Sequence, residues 1–234
     1  MIVDMHTHIL PGVDDGSKST EESAQMMRLE WEHGVRKMVA TPHFYAQRDS
    51  VSAFLERRSR SMQQFVQAIH DEPFSQMEVR SGAEVYYFQG IGRASMLPKL
   101  CIEGTEMMLL EMPFCQWNMQ MLEDVIQIIE EQQIDVILAH IERYYEYQKD
   151  KSVWEEIFSL PVIPQINAES FLRWKYRHRC FGFVREGYEA VLGSDCHNMT
   201  SRQPNLAQAR EAVRKKAGQT VLDEMDQRAE RLLG

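Results

Sequence analysis

An α/β fold built on a parallel sheet is predicted by three features of the chain. Seven short apolar runs recur along it, most of them rich in Val, Ile or Leu without strict polar alternation, as in strands buried on both faces. Amphipathic stretches of helical period separate these runs. No internal repeat and no Gly-, Pro- or Ser-rich linker divides the 234 residues, so a single domain over 1–234 is expected. Repeated strand–helix units imply right-handed crossovers. About seven such units in one domain suit a closed barrel better than an open sheet.

The predicted strands are Ile2–Met5, Lys37–Thr41, Glu78–Ala83, Met107–Glu111, Asp135–Ala139, Val162–Asn167 and Ala190–Gly193. Ser19-Thr20-Glu21-Glu22 has the Ser-x-x-Glu pattern of a capping box and opens the first helix. Ala24, Met27 and Trp31 continue it, and Gly34 is a suitable stop. Phe54, Met62, Phe65, Val66 and Ile69 mark a second helix. Leu122, Val125, Ile126 and Ile129 mark a third at i, i+3, i+4, i+7. Further helices are expected near Val153–Phe158, Ala207–Val213 and Leu222–Leu232.

Composition excludes several classes. The 44% hydrophobic content is enough for a sizeable core. A net charge of −9 argues against a general nucleic-acid or anionic-membrane binder, since both need Lys and Arg to neutralise phosphate. The four cysteines are widely spaced, with no C-x-x-C. The N-terminus places Asp4, His6 and His8 where a signal peptide needs a basic start and an apolar run. No apolar stretch approaches the roughly 20 residues of a membrane span. A reduced cytoplasmic protein, not inserted in a membrane, is expected.

Chemistry-bearing residues gather at the predicted strand ends. His6, His8, His43, His140 and His197 lie there, as do Glu84, Glu111 and Asp195. In barrels and open parallel sheets the carboxyl ends of the strands share one face, where active sites are built. His6-Thr7-His8 points two imidazoles to one side of an extended chain, as a shared metal ion requires. Glu111 closes an apolar run, where a charge needs a counter-ion or a metal. Asp195-x-His197 is a usual metal-ligand pair. Taken singly, each feature has an ordinary reading: H-x-H by chance, His43 as a structural imidazole, Glu84 as a solvated loop acid, Asp14-Asp15-Gly16 as a turn. Their joint occurrence at successive strand ends favours a metal site.

Together, His6-x-His8, Asp14-Asp15-Gly16, Thr41-Pro42-His43, Gly82-Ala83-Glu84, Glu111, His140-Ile141-Glu142-Arg143 and Ser194-Asp195-Cys196-His197-Asn198 resemble the polymerase-and-histidinol-phosphatase (PHP) superfamily. More narrowly, the chain resembles the PHP-type protein-tyrosine phosphatases of bacterial capsule and exopolysaccharide loci, in order from Met1 to about Arg210. The resemblance implies a distorted (β/α)7 TIM-like barrel of the PHP type. It implies three divalent metals, typically manganese, with iron or zinc as other occupants. Carried over by motif, His6, His8, Glu84 and Asp195 would hold the first metal. Glu84 would bridge to a second with Glu111 and His140. Asp15, His43 and His197 would hold the third. Arg143 and Arg202 match phosphate-contacting arginines. The implied substrate is a tyrosine-phosphorylated bacterial tyrosine kinase.

This donor set suits phosphate ester hydrolysis. Four carboxylates against three divalent cations leave a loaded site of about +2, a receptor for a phosphate dianion on an acidic chain. Water on such a metal ionises near neutrality, and the expected reaction is in-line attack by metal-activated hydroxide. One rival lies in the same stretch: Cys196 and Arg202 form the C-x5-R spacing of cysteine-dependent tyrosine phosphatases. Chance readily produces it with four Cys and 18 Arg, and the loop has no glycine to bring its amides to phosphate. Three more functions fit parts of the pattern. They are a different PHP phosphoesterase such as a histidinol-phosphate phosphatase, a metal-dependent nuclease lacking the usual basic tract, and a non-catalytic metal-binding module.

Phe44, Tyr45, Phe114 and Trp117 follow ligand-bearing strands and suit either stacking on a phenolic ring or loop packing. Tyr144 and Tyr145 share that ambiguity. The 15 methionines read as adaptable core packing. Trp174-Lys175-Tyr176-Arg177-His178-Arg179 is the most basic stretch and suits a partner contact or an exposed helix face. Arg214-Lys215-Lys216 reads as a solvated helix face.

Overall fold

In a computed structural model describing all residues Met1–Gly234, the chain alternates strands and helices. In order these are β1 (Ile2–Thr7), α1 (Thr20–Glu32), β2 (Val35–Ala40), β3 (His43–Phe44), α2 (Val51–Ala68), β4 (Glu78–Ser81), β5 (Glu84–Tyr86), β6 (Met107–Glu111), α3 (Met119–Glu130), β7 (Asp135–Leu138), α4 (Ser152–Ser159), β8 (Ile163–Asn167), α5 (Ala168–Leu172), α6 (Trp174–Arg185), β9 (Val191–Gly193), α7 (Leu206–Ala217) and α8 (Gln219–Leu233). Every strand pairing is parallel, in a sheet β1-β2-β4 and a sheet β3-β5-β6-β7-β8-β9. The strands curl. Thr7 of β1 bridges to Cys196, just past β9, and the Asp195 N–H donates to the His6 carbonyl at 2.8 Å.

Beyond two predicted strands, Lys37–Thr41 and Glu78–Ala83, the chain crosses to the other sheet and adds the short strands β3 and β5, which the apolar runs did not mark. Thr41-Pro42 separates β2 from β3, because proline supplies no N–H to a ladder. Gly82-Ala83 separates β4 from β5. The strand–helix repeat is also irregular. Only 3-10 turns, at Ile91–Arg93 and Leu97–Leu100, lie between β5 and β6, whereas two helices follow β9.

The helices form for the expected reasons, with two differences. Ser19 caps α1 by accepting from the Glu22 N–H at 3.3 Å. The reciprocal half of the capping box is absent: Glu22 instead accepts from the Lys18 and Met199 N–H groups, tying the helix start to the loop after β9. Val66 is exposed, so the buried stripe of α2 runs through Phe54, Ser61 and Phe65. Helices α5 and α6 carry no clean apolar period; α6 takes up the basic Trp174–Arg179 stretch as a helix, one of its two readings, while α5 has no counterpart among the predicted helices. No helix is long and apolar enough to cross a membrane.

Two apolar clusters fill the fold. Eleven buried residues, including Val3, Met5, Val39, Leu109, Ile137 and Val191, fill the space inside the curled strands. A larger cluster of 51 residues lies between strands and helices. Methionines such as Met26, Met38, Met108 and Met112 are buried in this larger cluster and serve as packing material. Closure against β1 demands a residue without a side chain at 193: a Cβ there would sit 2.5 Å from the His6 Cβ and 2.9 Å from Gln165 Nε2. Gly193→Ala should therefore cost about 2–3 kcal/mol of unfolding free energy in a denaturant titration. An unchanged midpoint would show that the β1–β9 seam is loose.

Candidate metal centre

All nine expected metal-site side chains, together with Arg143 and Arg202, meet at the carboxyl ends of the strands. The strand pleat puts His6 and His8 on one side, with their Nε2 atoms 3.0 Å apart. Glu84 Oε2 lies 3.3 and 3.2 Å from those two nitrogens, and Asp195 Oδ1 lies 3.6 and 3.4 Å from them. The other Glu84 oxygen is 3.0 Å from His140 Nε2, which is 3.7 Å from Glu111 Oε1. Asp15 Oδ1 is 3.6 Å from both His43 Nε2 and His197 Nε2. Among these residues, the donor atoms that lie within 4.8 Å of one another fall as His6, His8 and Asp195, as His43, Glu84 and Glu111, and as His8, Asp15, His43 and His197, which differs from the implied grouping in placing His43 rather than His140 with Glu84 and Glu111. His43 also joins two of them, its Nδ1 being 2.9 Å from Glu84 Oε2 and 3.8 Å from Glu111 Oε2.

Supporting residues decide which ring nitrogen faces inward. Gln165 Oε1 lies 3.1 Å from His6 Nδ1 and also accepts from the His140 N–H at 2.8 Å. Asp14 Oδ2 lies 2.7 Å from His8 Nδ1 and accepts from the His43 N–H at 2.9 Å. The Asp195 carbonyl lies 3.0 Å from His197 Nδ1. With the proton on each of those Nδ1 atoms, the Nε2 lone pairs of His6, His8 and His197 point into the cluster, the arrangement of metal-ligating histidines. Asp14 also makes the turn its spacing suggests, its Oδ1 accepting from Gly16 N–H. Gln165 and Asn167 were not legible as site residues, since neither type marks a metal site by itself. Asn167 Nδ2 donates to Asp195 Oδ2 at 2.6 Å. Arg143 and Arg202 reach the same oxygen at 3.2 and 2.6 Å.

The backbone is strained where two of these side chains are aimed. His140 has φ +31° and Asp195 φ +53°, left-handed values that cost a non-glycine residue about 1–3 kcal/mol.

Electrostatics give the fit test for a cation. Glu84, His140 and Asp195 are buried, and His43 Nδ1, Glu84 Oε2, Glu111 Oε2 and His197 Nε2 have no well-aligned hydrogen-bond partner. Burial and the adjacent Glu84 carboxylate push Glu111 up to about 7. Burial and Arg143 push His140 down to about 4. Against burial, His6, His140 and His43 hold Glu84 well below the carboxylate range. Donor atoms converge with too few protons to serve them, in groups such as His6, His8 and Asp195 whose ligand atoms lie within 4.8 Å of one another. Divalent cations fit this donor set.

The same loop rules against the cysteine rival. Cys196 is 1% exposed, and burial with Asp4 and Glu30 pushes its thiol well above its usual value, away from a thiolate. Its loop amides are also taken: Asn198 Oδ1 accepts from the N–H groups of Thr200, Ser201 and Arg202 at 3.0, 2.8 and 3.1 Å. The aromatics divide. Phe44 and Trp117 are core residues, and Tyr144 is buried with its hydroxyl accepting from the Met112 N–H. Tyr145 packs edge-on against Trp154 and Phe183. Phe114 is 41% exposed and stacks on His140 at 6.0 Å, while Tyr45 lies 5.3 Å from His43, so these two flank the mouth.

Behind the cluster, Asp4 Oδ1 accepts from the N–H groups of His6 and Ser194, joining β1 to β9. Its other oxygen and both oxygens of Glu30 are buried without a partner. Burial raises Asp4 to about 6, and burial with Asp4 raises Glu30 well above its usual value, so the folded protein holds a proton on this pair above the ordinary carboxylate range. Because the folded state binds that proton more tightly, stability falls as pH rises above the unfolded carboxyl range toward the folded value. Glu30→Gln should shrink the stability loss between pH 5 and pH 8 by about 1–3 kcal/mol in metal-free urea titrations. An unchanged pH slope would mean that Glu30 already has a partner.

The chain is similar to known proteins in sequence and fold. The family of capsular polysaccharide synthesis proteins CpsB/CapC matches residues 2–233. The tyrosine-protein phosphatase CpsB of Streptococcus agalactiae serotype III is 27% identical over 217 residues, covering 89% of this chain and 88% of that one. The tyrosine-protein phosphatase YwqE of Bacillus subtilis is 24% identical, covering 99% and 91%. A crystal structure from a pair described as YwqE from Bacillus subtilis and CpsB from Streptococcus pneumoniae, metal-dependent tyrosine phosphatases, superposes with a TM-score of 0.84 at 22% identity, covering 99% and 94%. An organophosphorus hydrolase from Deinococcus radiodurans shares the fold more distantly, with a TM-score of 0.57 at 11% identity, covering 99% and 92%. With the match running from the first strand to the last helix, the chain belongs to the CpsB/CapC family of capsular polysaccharide synthesis proteins.

Proposed function

We propose that this protein is a metal-dependent protein-tyrosine phosphatase that removes phosphate from phosphotyrosine on a bacterial tyrosine kinase, in the cytoplasm, and so regulates capsule or exopolysaccharide synthesis. The observation that carries this reading is the convergence of inward-facing imidazole nitrogens and carboxylate oxygens about His6, His8, Glu84 and Asp195, 3.0–3.6 Å apart. The substrate class comes from relatives described as tyrosine-protein phosphatases. Residues 1–234 are taken as one catalytic domain. Its two sheets are read as a distorted seven-strand barrel in which β2 continues into β3 and β4 into β5.

Three divalent cations, typically manganese, suit the donors. His6, His8, Glu84 and Asp195 would hold the first, Glu84, Glu111 and His140 the second, and Asp15, His43 and His197 the third. When bound, such cations supply a water made acidic at neutral pH and neutralise phosphoryl charge. The chain's own groups do the rest. Gln165 and Asp14 fix the tautomers of His6 and His8. Arg143 and Arg202 are partly exposed, and each engages Asp195 through one terminal nitrogen. Their remaining N–H groups can take non-bridging phosphoryl oxygens, with charge assistance as those oxygens gain charge. Phe114 and Tyr45 offer aromatic faces to the substrate ring. A tyrosinate leaving group, with a pKa of about 10, needs less acid assistance than an alkoxide.

Chelation with EDTA should abolish hydrolysis of a phosphotyrosyl peptide, and added manganese should restore it. Glu84→Gln should lower kcat by at least about 100-fold, while Cys196→Ser keeps most of the activity. Loss of turnover in Cys196→Ser with EDTA harmless would refute the metal reading. Faster turnover of histidinol phosphate than of the peptide would refute the substrate.

A further inference from the structure

Helix α6 departs from the charge balance of the rest of the chain. On a protein of net charge −9, it and its neighbours carry Arg173, Lys175, Arg177, Arg179 and Arg185, with Lys216 of α7 alongside. Arg173, Lys175 and Arg179 are paired with Glu169, Glu146 and Glu186. Arg177, Arg185 and Lys216 have no such acidic partner. These three line a concave groove of about 350 Å³ whose apolar side is Trp174 and Phe181 and which no carboxylate borders. Trp174 is 87% exposed, more than any other large apolar residue of the chain. An exposed indole beside unpaired cations costs hydration without any return inside this fold.

The groove is continuous in sequence with the rim of the metal centre. Leu172 and Arg173, immediately before Trp174, line a second groove with Thr200, Ser201 and Gln203, where Glu169 is neutralised by its pairing with Arg173. Arg202, in the middle of that loop, reaches Asp195. A chain lying over the mouth can thus pass Arg202 and Arg173 to reach Trp174.

We propose that the Trp174 groove is a docking site for an acidic peptide segment bearing an aromatic side chain, in the substrate protein outside the phosphotyrosine being hydrolysed. The charge complementarity selects anionic residues, and the exposed Trp174 indole offers a stacking surface for the aromatic one. A concave groove that no carboxylate borders favours a peptide over a lipid surface. The inference rests on the phosphatase reading above for its substrate, but the binding can be measured without turnover.

The test uses manganese-loaded wild-type protein and two variants, W174A/R177E and Lys216→Glu, none of them touching the metal centre. Unphosphorylated poly(Glu,Tyr) serves as binding probe, read by fluorescence anisotropy; its phosphorylated form and 4-nitrophenyl phosphate serve as substrates. Wild type should bind the copolymer, more weakly as salt rises. Each variant should weaken that binding and raise KM for the phosphorylated copolymer by about tenfold, equivalent to about 1.4 kcal/mol, with kcat and 4-nitrophenyl phosphate turnover unchanged. Copolymer binding and KM unaltered in both variants would overturn the proposal. So would variants that lose binding to anionic phospholipid vesicles, or change oligomeric state, while holding the copolymer as wild type does. Binding of the copolymer at the groove by a protein that hydrolyses neither ester would instead sink the phosphatase reading and leave the groove assigned.

Discussion

Like charge confined without water is the constraint that organises this protein. Glu84 and Asp195 are buried in contact with the His6 and His8 imidazoles, and Glu111 stands beside Glu84. Such an assembly is unfavourable on its own, because desolvated carboxylates repel one another. Its surroundings hold it in place: Gln165, Asp14 and Asn167 orient the inner groups, and left-handed backbone at His140 and Asp195 aims two of them. Cations at the centre would turn this repulsion into attraction, completing a geometry that the protein's own interactions prepare.

The scaffold serves the same end. Parallel pairing brings every strand's carboxyl end to one face, so residues from position 6 to position 202 meet there. Closure at Thr7–Cys196 joins the first and last contributors, and Gly193 lets the two backbones approach. Asp4 ties the same seam from behind, and burial beside Glu30 raises both carboxyls, so the inner architecture carries a second buried acid pair.

Much of this was legible in the residues. His6-x-His8, Asp195-x-His197 and Glu111 announce themselves, because imidazoles in a strand period and an acid ending an apolar run have few other uses. Each apolar run begins within two residues of the start of an observed strand, from Ile2 in β1 to Ala190 before β9. What stayed hidden depends on tertiary contact. Gln165 and Asn167 look like ordinary amides until the fold sets them against His6 and Asp195. Glu22 completes a capping box in sequence, yet Lys18 and Met199 offer better-placed donors. Helices α5 and α6 lack a clear apolar stripe, since α6 mixes core residues such as Cys180 and Phe183 with the exposed basic face that forms the Trp174 groove. Pro42 marks its own break by lacking an N–H, whereas the break at Gly82 follows from the crossing between sheets.

The central claim is that nine side chains form one cage for divalent cations. The most direct measurement is anomalous diffraction at the manganese edge from crystals grown with manganese. The account predicts peaks among His6, His8, Glu84 and Asp195, among Glu84, Glu111 and His140, and among Asp15, His43 and His197. A well-ordered site with no anomalous density among those side chains would contradict it.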